Sequence, residues 1–165
     1  MKITYIAPCD AQKVPYEDGY FDFHTSWAVL EHIPRDILKN ILLEGGRLLK
    51  KDGLFVHHID YTDHFSHSDK TISAINFLQY SEKEWNKYAG NKFMYTNRLR
   101  HDDLISLFSV HSCILNEDLN LYQKFLNVSN VDFQLNSEFK DKSDNILNIL
   151  NATIVSKNEV AEILK

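Results

Sequence analysis

The chain has 165 residues, of which 44% are hydrophobic and 25% charged, an ordinary balance for one globular domain with a real core. Its formal net charge of -5 and the lack of a basic run argue against nucleic acid as a partner. No signal peptide is visible, and no apolar run nears the about 20 residues that span a bilayer, so no membrane partner and a cytoplasmic location are expected.

Two cysteines, Cys9 and Cys113, lie far apart in the chain. They are read as reduced thiols, with a bridge between them as the alternative. The glycines are Gly19, Gly45, Gly46, Gly53 and Gly90, and none forms G-x-G. A nucleotide-phosphate loop of the usual glycine-rich kind is therefore absent.

In chain order, residues 2–7 (KITYIA) predict a short strand. The polar stretch DAQKVPYEDGY, broken by Pro15 and Gly19, predicts a connection. FDFHTS alternates Phe21, Phe23 and Thr25 on one face, as a half-buried strand does. A helix is predicted to start at Pro34 and Asp36, because Ile37, Leu38, Ile41, Leu42, Leu48 and Leu49 recur with helical spacing. Lys50 and Lys51 suit its C-terminal end, where cations complement the helix dipole, and KKDG suits the turn beyond. LFVHHI predicts the next strand. Residues 20–60 thus read as strand–helix–strand, which implies a parallel pair with a right-handed crossover.

Ligands of open α/β sheets gather beyond the C-terminal ends of the strands. That rule directs attention to Ser26-Trp27 and to Asp60–Asp69. Residues 70–110 read as mostly helical with a loop around Gly90–Asn97, and Leu104, Ile105, Leu107 and Phe108 mark an amphipathic helix over 103–109. HSCIL and NATIVS predict an antiparallel pair of strands. Residues 116–145, rich in Asn, Asp, Ser and Lys, give no clear reading.

The stretch DAQKVPYEDGYFDFHTSWAVLEHIPRD…EGGRLLKKDGLFVHHID resembles the second half of a Rossmann-like, type-11 methyltransferase domain that uses S-adenosylmethionine. The segment IDYTDHFSHSDKTISAINFLQYSEKEWNKYAGNKFMYTNRLRHDDLISLF is similar to a subgroup found beside surface-polysaccharide genes. The family sheet is ordered 3-2-1-4-5-7-6. The resemblance places residues 2–7 as the third strand. It therefore implies a partial domain over residues 1–165, an α/β fold with parallel central strands and an antiparallel C-terminal pair. Strands one and two, the glycine-rich cofactor loop and the acid that binds the ribose would be lacking.

The same resemblance assigns site residues. Asp10 and Ala11 match the pair that contacts the adenine, and Ser26 and Trp27 fall where the cofactor and the reacting methyl lie. Without it, Asp10 reads as a loop residue capping a turn, and Trp27 equally as core or as a face for the sulfonium cation. Glu31 and His32 match a family Glu-His that is expected to hold the strand–helix corner by hydrogen bonds. Asp63 and His64 would line the acceptor pocket, where a His or Asp takes the proton from an attacking sugar hydroxyl. Arg98 and Arg100 would clamp a phosphate or carboxylate of the acceptor, against the plainer reading of solvated arginines before a helix capped by Asp102 or Asp103. Asn76, Trp85 and Tyr95 are expected to pack.

The run HHIDYTDHFSHSD holds His57, His58, His64 and His67 with Asp60, Asp63 and Asp69. These are suitable ligands for a transition metal. Strand alternation sends His57 and His58 to opposite faces, and no second ligand cluster is evident, so no metal ligand is assigned. The expectation is O-methyl transfer to a glycan or other small acceptor, with S-adenosylmethionine held only in part and the chain inactive alone. The rivals are a non-catalytic remnant that serves as an oligomerisation module and a metal-dependent enzyme on the His/Asp run. An unpaired fourth strand invites pairing with another copy, so a homo-oligomer is expected.

Overall fold

A computed structural model describes residues 3–91, 93–110, 112–120 and 132–159. The first regular element is strand β1, Phe21–Trp27. A single 3-10 turn at Leu30–His32 leads into helix α1, Arg35–Leu48, which runs without a loop into strand β2, Leu49–Asp60. The short helix α2 (Phe65–Ser68), helix α3 (Glu82–Ala89) and helix α4 (His101–Phe108) follow. Strand β3 (Ser112–Asn120), the short helix α5 (Asp144–Leu147) and strand β4 (Asn151–Asn158) close the chain.

The four strands form one sheet in the order β1-β2-β4-β3. β1 and β2 are parallel, with Trp27 opposite His58, and β4 lies antiparallel to both β2 and β3. This order equals the 4-5-7-6 half of the sheet that the resemblance implies.

Side-chain alternation explains the layering. Residues 49, 53, 55, 57 and 59 of β2 are buried, and every second residue of β4 is buried too. A strand turns successive side chains to opposite faces, so these residues share one face. α1 covers the sheet with Leu38, Ile41, Leu42 and Leu48. Leu38 and Leu42 are fully shielded, each worth about 1.5–3 kcal/mol over an exposed position. A second, smaller core gathers Ile75, Phe77, Leu78, Trp85, Phe139 and Leu147 under the segment after β2. α3 is stopped at its N-terminus by a reciprocal cap, Ser81 with Glu84.

Three expectations change. Residues 3–7 form no strand and are exposed. A strand needs a neighbour for its N–H and C=O groups, and none lies beside this segment among the described residues. Lys50 and Lys51 belong to β2, not to a helix end, because α1 already stops at Leu48. Arg47 is the cation of its last turn, and it pairs with Glu44 and Asp18. Among the described residues of 70–110 there are two α-helices of 8 residues and a short 3-10 turn at Asn76–Gln79, less helix than expected. Cys9 is exposed and free. The Cys113 side chain and residues 121–131 lie outside what is described. Among the described residues no helix is long and apolar enough to cross a membrane.

Candidate functional site

The C-terminal ends of the parallel strands β1 and β2 bring together what the sequence separates. Ser26 on β1 and His57 on β2 are hydrogen-bonded, Oγ to Nδ1 at 2.7 Å. His57 is fully buried, and burial pulls its imidazole down to about 3, with the charge of nearby His24 acting the same way. Trp27, one residue on, is 73% exposed, and its ring stacks on His58 at 4.0 Å with 15° between the planes. His58 is steadied in turn by Thr153 on β4, Nδ1 to Oγ1 at 3.0 Å. Ala28 then adopts φ +49° while its N–H donates to the His58 carbonyl. A left-handed alanine costs about 1 kcal/mol or more. The turn after β1 is therefore held by its surroundings rather than by local preference.

A second group lies beside it, where the turn at 30–32 meets the segment after β2. Glu31 is buried, and neither carboxylate oxygen has a hydrogen-bond partner. Burial raises its pKa and the charge of Asp60 adds to this, while His32 and the nearby backbone N–H groups of Glu31 and Asp60, which do not reach hydrogen-bond geometry, work against it. The exposed His32 bonds through Nδ1 to the Tyr95 carbonyl at 2.8 Å, and its ring meets that of His64 at 4.9 Å. His64 stacks on His67 at 5.0 Å, and each Nε2 is 3.7 Å from Asp60 Oδ2. Burial holds the His64 imidazole below its usual range, against the pull of Asp60.

The corner is held in part as expected: His32 bonds the Tyr95 carbonyl, whereas Glu31 makes no side-chain hydrogen bond. Asn97 supplies the rest. Its Nδ2 donates to the carbonyls of Leu30 and Ile33, and its N–H donates to that of Glu31. Asp63 is fully buried, with its carboxylate accepting from the Phe65 N–H at 2.9 Å and from Asn76 Nδ2 at 3.1 Å. It organises its own turn and is closed off from solvent, so only His64 of the expected pair faces the cluster.

Arg98 and Arg100 are both buried, with their terminal guanidinium nitrogens bonded within the protein and each Nε left without a partner. Arg98 donates to the carbonyls of Phe77 and Tyr80 and pairs with Glu82 at 2.7 Å and Glu138 at 3.3 Å. Arg100 donates to the carbonyls of Tyr61 at 2.6 Å, Leu147 at 3.0 Å and Ile149 at 2.7 Å. These arginines tie the segment after β2 to the C-terminal elements and leave no guanidinium free to clamp an acceptor. Asp103 takes the Arg100 N–H ahead of α4, and Asp102 pairs with Lys142.

Asp10 and Ala11 lie in an exposed loop, where Asp10 Oδ1 accepts from the Gln12 N–H at 2.9 Å. The loop is moored to α1: Gln12 accepts from Asn40, and Glu44 takes the Val14 N–H. That places Asp10 toward the N-terminal half of α1, the side on which β1 ends. Asn97 and Thr62 were not singled out by the sequence, and Asp60 was noted only as one of the carboxylates in the His/Asp run. Only the Asp60-x-Thr62 spacing of a side-chain turn signals any of them, through the Thr62 N–H to Asp60 Oδ1 bond at 2.8 Å.

Residues 2–57 match the family described as a methyltransferase domain. No curated protein matches the sequence. Among solved structures, the PH0226 protein of Pyrococcus horikoshii is 16% identical with a TM-score of 0.52, over 92% of this chain and 57% of that one. A methyltransferase of Methanosarcina mazei that depends on S-adenosylmethionine is 14% identical with a TM-score of 0.52, over 90% of this chain and 64% of that one. The chain thus spans less than two thirds of the length of either structure. At such identity the likeness establishes the fold.

Proposed function

We propose that the chain is the acceptor-side part of a methyltransferase that uses S-adenosylmethionine, acting on a hydroxyl of a glycan or other small molecule and inactive by itself. The observation that carries this reading is the Ser26–Trp27–Ala28 turn at the end of β1. It presents an exposed aromatic ring, already stacked on His58, in the part of the chain that matches the methyltransferase domain. An aromatic face attracts a sulfonium, and Asp10 offers a carboxylate for an exocyclic amine.

In the reaction the acceptor oxygen forms a bond to the methyl carbon as the carbon–sulfur bond breaks. S-adenosylhomocysteine leaves, and the hydroxyl proton passes to an imidazole of the stacked His64–His67 pair. The protein's part is chiefly positioning. Methyl transfer is best measured with the protein purified from its source cells together with whatever it is assembled with, beside the isolated chain. Label on an acceptor oxygen in the first sample and not in the second supports the reading, and label in neither rules it out.

The open edge of β1 favours a second reading, an interaction module. Among the described residues no strand pairs with that edge, and Phe23 is 61% exposed on it. Unpaired edges recruit strands. Sedimentation of the purified chain tests this reading: a dimer dispersed by a proline at Phe23 supports it, and a monomer at all concentrations contradicts it.

A further inference from the structure

Glu31, His32 and His64 each offer a ligand atom, and these atoms lie within 4.8 Å of one another. We infer that the three form a binding site for a divalent transition-metal ion of the zinc class. The inference does not depend on the methyl-transfer reading.

Glu31 provides the first argument. It is 5% exposed and both carboxylate oxygens lack a partner. A buried polar group without a partner is costly, and a cation between Glu31 and the two imidazoles removes that cost. His32 provides the second. A carbonyl only accepts, so the Nδ1 that touches the Tyr95 carbonyl at 2.8 Å carries the hydrogen. The lone pair is thereby left on Nε2, which is how metal-binding histidines are set, with the other ring nitrogen donating to a backbone carbonyl. His64 provides the third. Its Nε2 is shielded from solvent without a hydrogen-bond partner, and Asp60 Oδ2 at 3.7 Å is out of bonding reach.

The donor set decides the ion. Two imidazoles and one carboxylate suit zinc with an open fourth position, whereas calcium and magnesium call for oxygen ligands throughout. Zinc ligands at about 2.0–2.2 Å from the ion stand about 3.4 Å apart in a tetrahedron, so the side chains close slightly as the ion enters. The exposed face of His32 is the entry path. The scaffold is firm, since Asn97 clamps the turn that carries both Glu31 and His32. With His64 engaged as a ligand, the exposed His67 is left as the imidazole that can receive a proton.

The test uses the full chain, stripped of metal, in a Cys9→Ser background that removes the exposed thiol as a competing ligand. Zinc is titrated by calorimetry, and cobalt is followed by its visible absorption. One saturable site is expected. Glu31→Gln, His32→Ala and His64→Ala should each weaken it by at least the about 10–100-fold that loss of an outer-shell partner costs. His67→Ala, outside the triad, should leave it unchanged. Because His32 is exposed, its replacement keeps the fold, which the thermal transition of the metal-free variant checks. Absence of saturable binding, or binding that survives His32→Ala, overturns the inference.

Discussion

Ser26 and His57 face each other across the parallel pair of strands and share a hydrogen bond of 2.7 Å, Oγ to Nδ1. The bond fixes the end of β1 to the centre of the sheet, next to the exposed Trp27. Burial there, with the charge of His24 acting the same way, keeps the His57 imidazole neutral.

That neutrality makes the fold sensitive to acid. In the folded chain burial pulls His57 down to about 3, while the unfolded chain takes up the proton near 6.5. Between those values the unfolded state binds more protons, so stability is complete above about 6.5 and is lost as the pH falls. His24, lowered by burial as well, adds in the same direction. Urea unfolding from pH 7 to pH 4 should show this decline, and His57→Asn should flatten it by up to about 1.4 kcal/mol per pH unit. An unchanged slope would mean that other groups carry the acid response.

Arg100 is predicted to be a structural residue. Burial lowers its pKa to about 10, so it stays charged at neutral pH, and its charge is spread over three carbonyl acceptors. Arg100→Met strands those carbonyls at about 1–3 kcal/mol each. A loss of about 3 kcal/mol or more is expected in chemical denaturation. A variant of normal stability would return Arg100 to the list of acceptor-binding candidates.

Gly45 lets α1 lie close against the sheet. A Cβ there would come within 2.8 Å of both His24 Nδ1 and Phe55 Cε1. Alanine favours a helix by about 1 kcal/mol over glycine, but overpacking costs about 1–3 kcal/mol. Gly45→Ala should therefore lower the melting temperature, and a rise would show that α1 can lift off the sheet without penalty.

The strand–helix–strand unit was legible because its signals are local: an apolar stretch in β1, helical spacing in α1, an apolar run in β2. The antiparallel pair β3–β4 was legible for the same reason. The face of β1 was not: past the irregularity between Phe21 and Phe23, His24 and Ser26 turn inward while Phe23 and Thr25 are exposed. Residues 3–7 carry a strand pattern, yet no neighbour among the described residues supplies their hydrogen bonds, and pattern alone does not make a strand. Arg98 and Arg100 read as solvent-facing or ligand-binding because arginine usually is. Their burial depends on carbonyls far along the chain, 39 and 49 residues away for Tyr61 and Ile149. The Glu31–His32–His64 cluster was hidden likewise, since only the parallel pairing of β1 and β2 brings its two halves together.

We propose that the turn ending β1 and the loop at Asp10 form one face for the cofactor. The most direct test is nitrogen–proton correlation NMR of the isotope-labelled chain, titrated with S-adenosylhomocysteine to millimolar concentration. The account predicts shifts confined to the amides of residues 10–12 and 26–28 and to the Trp27 indole, with saturation too weak for a complete site. No shifts, or shifts centred elsewhere, would contradict it.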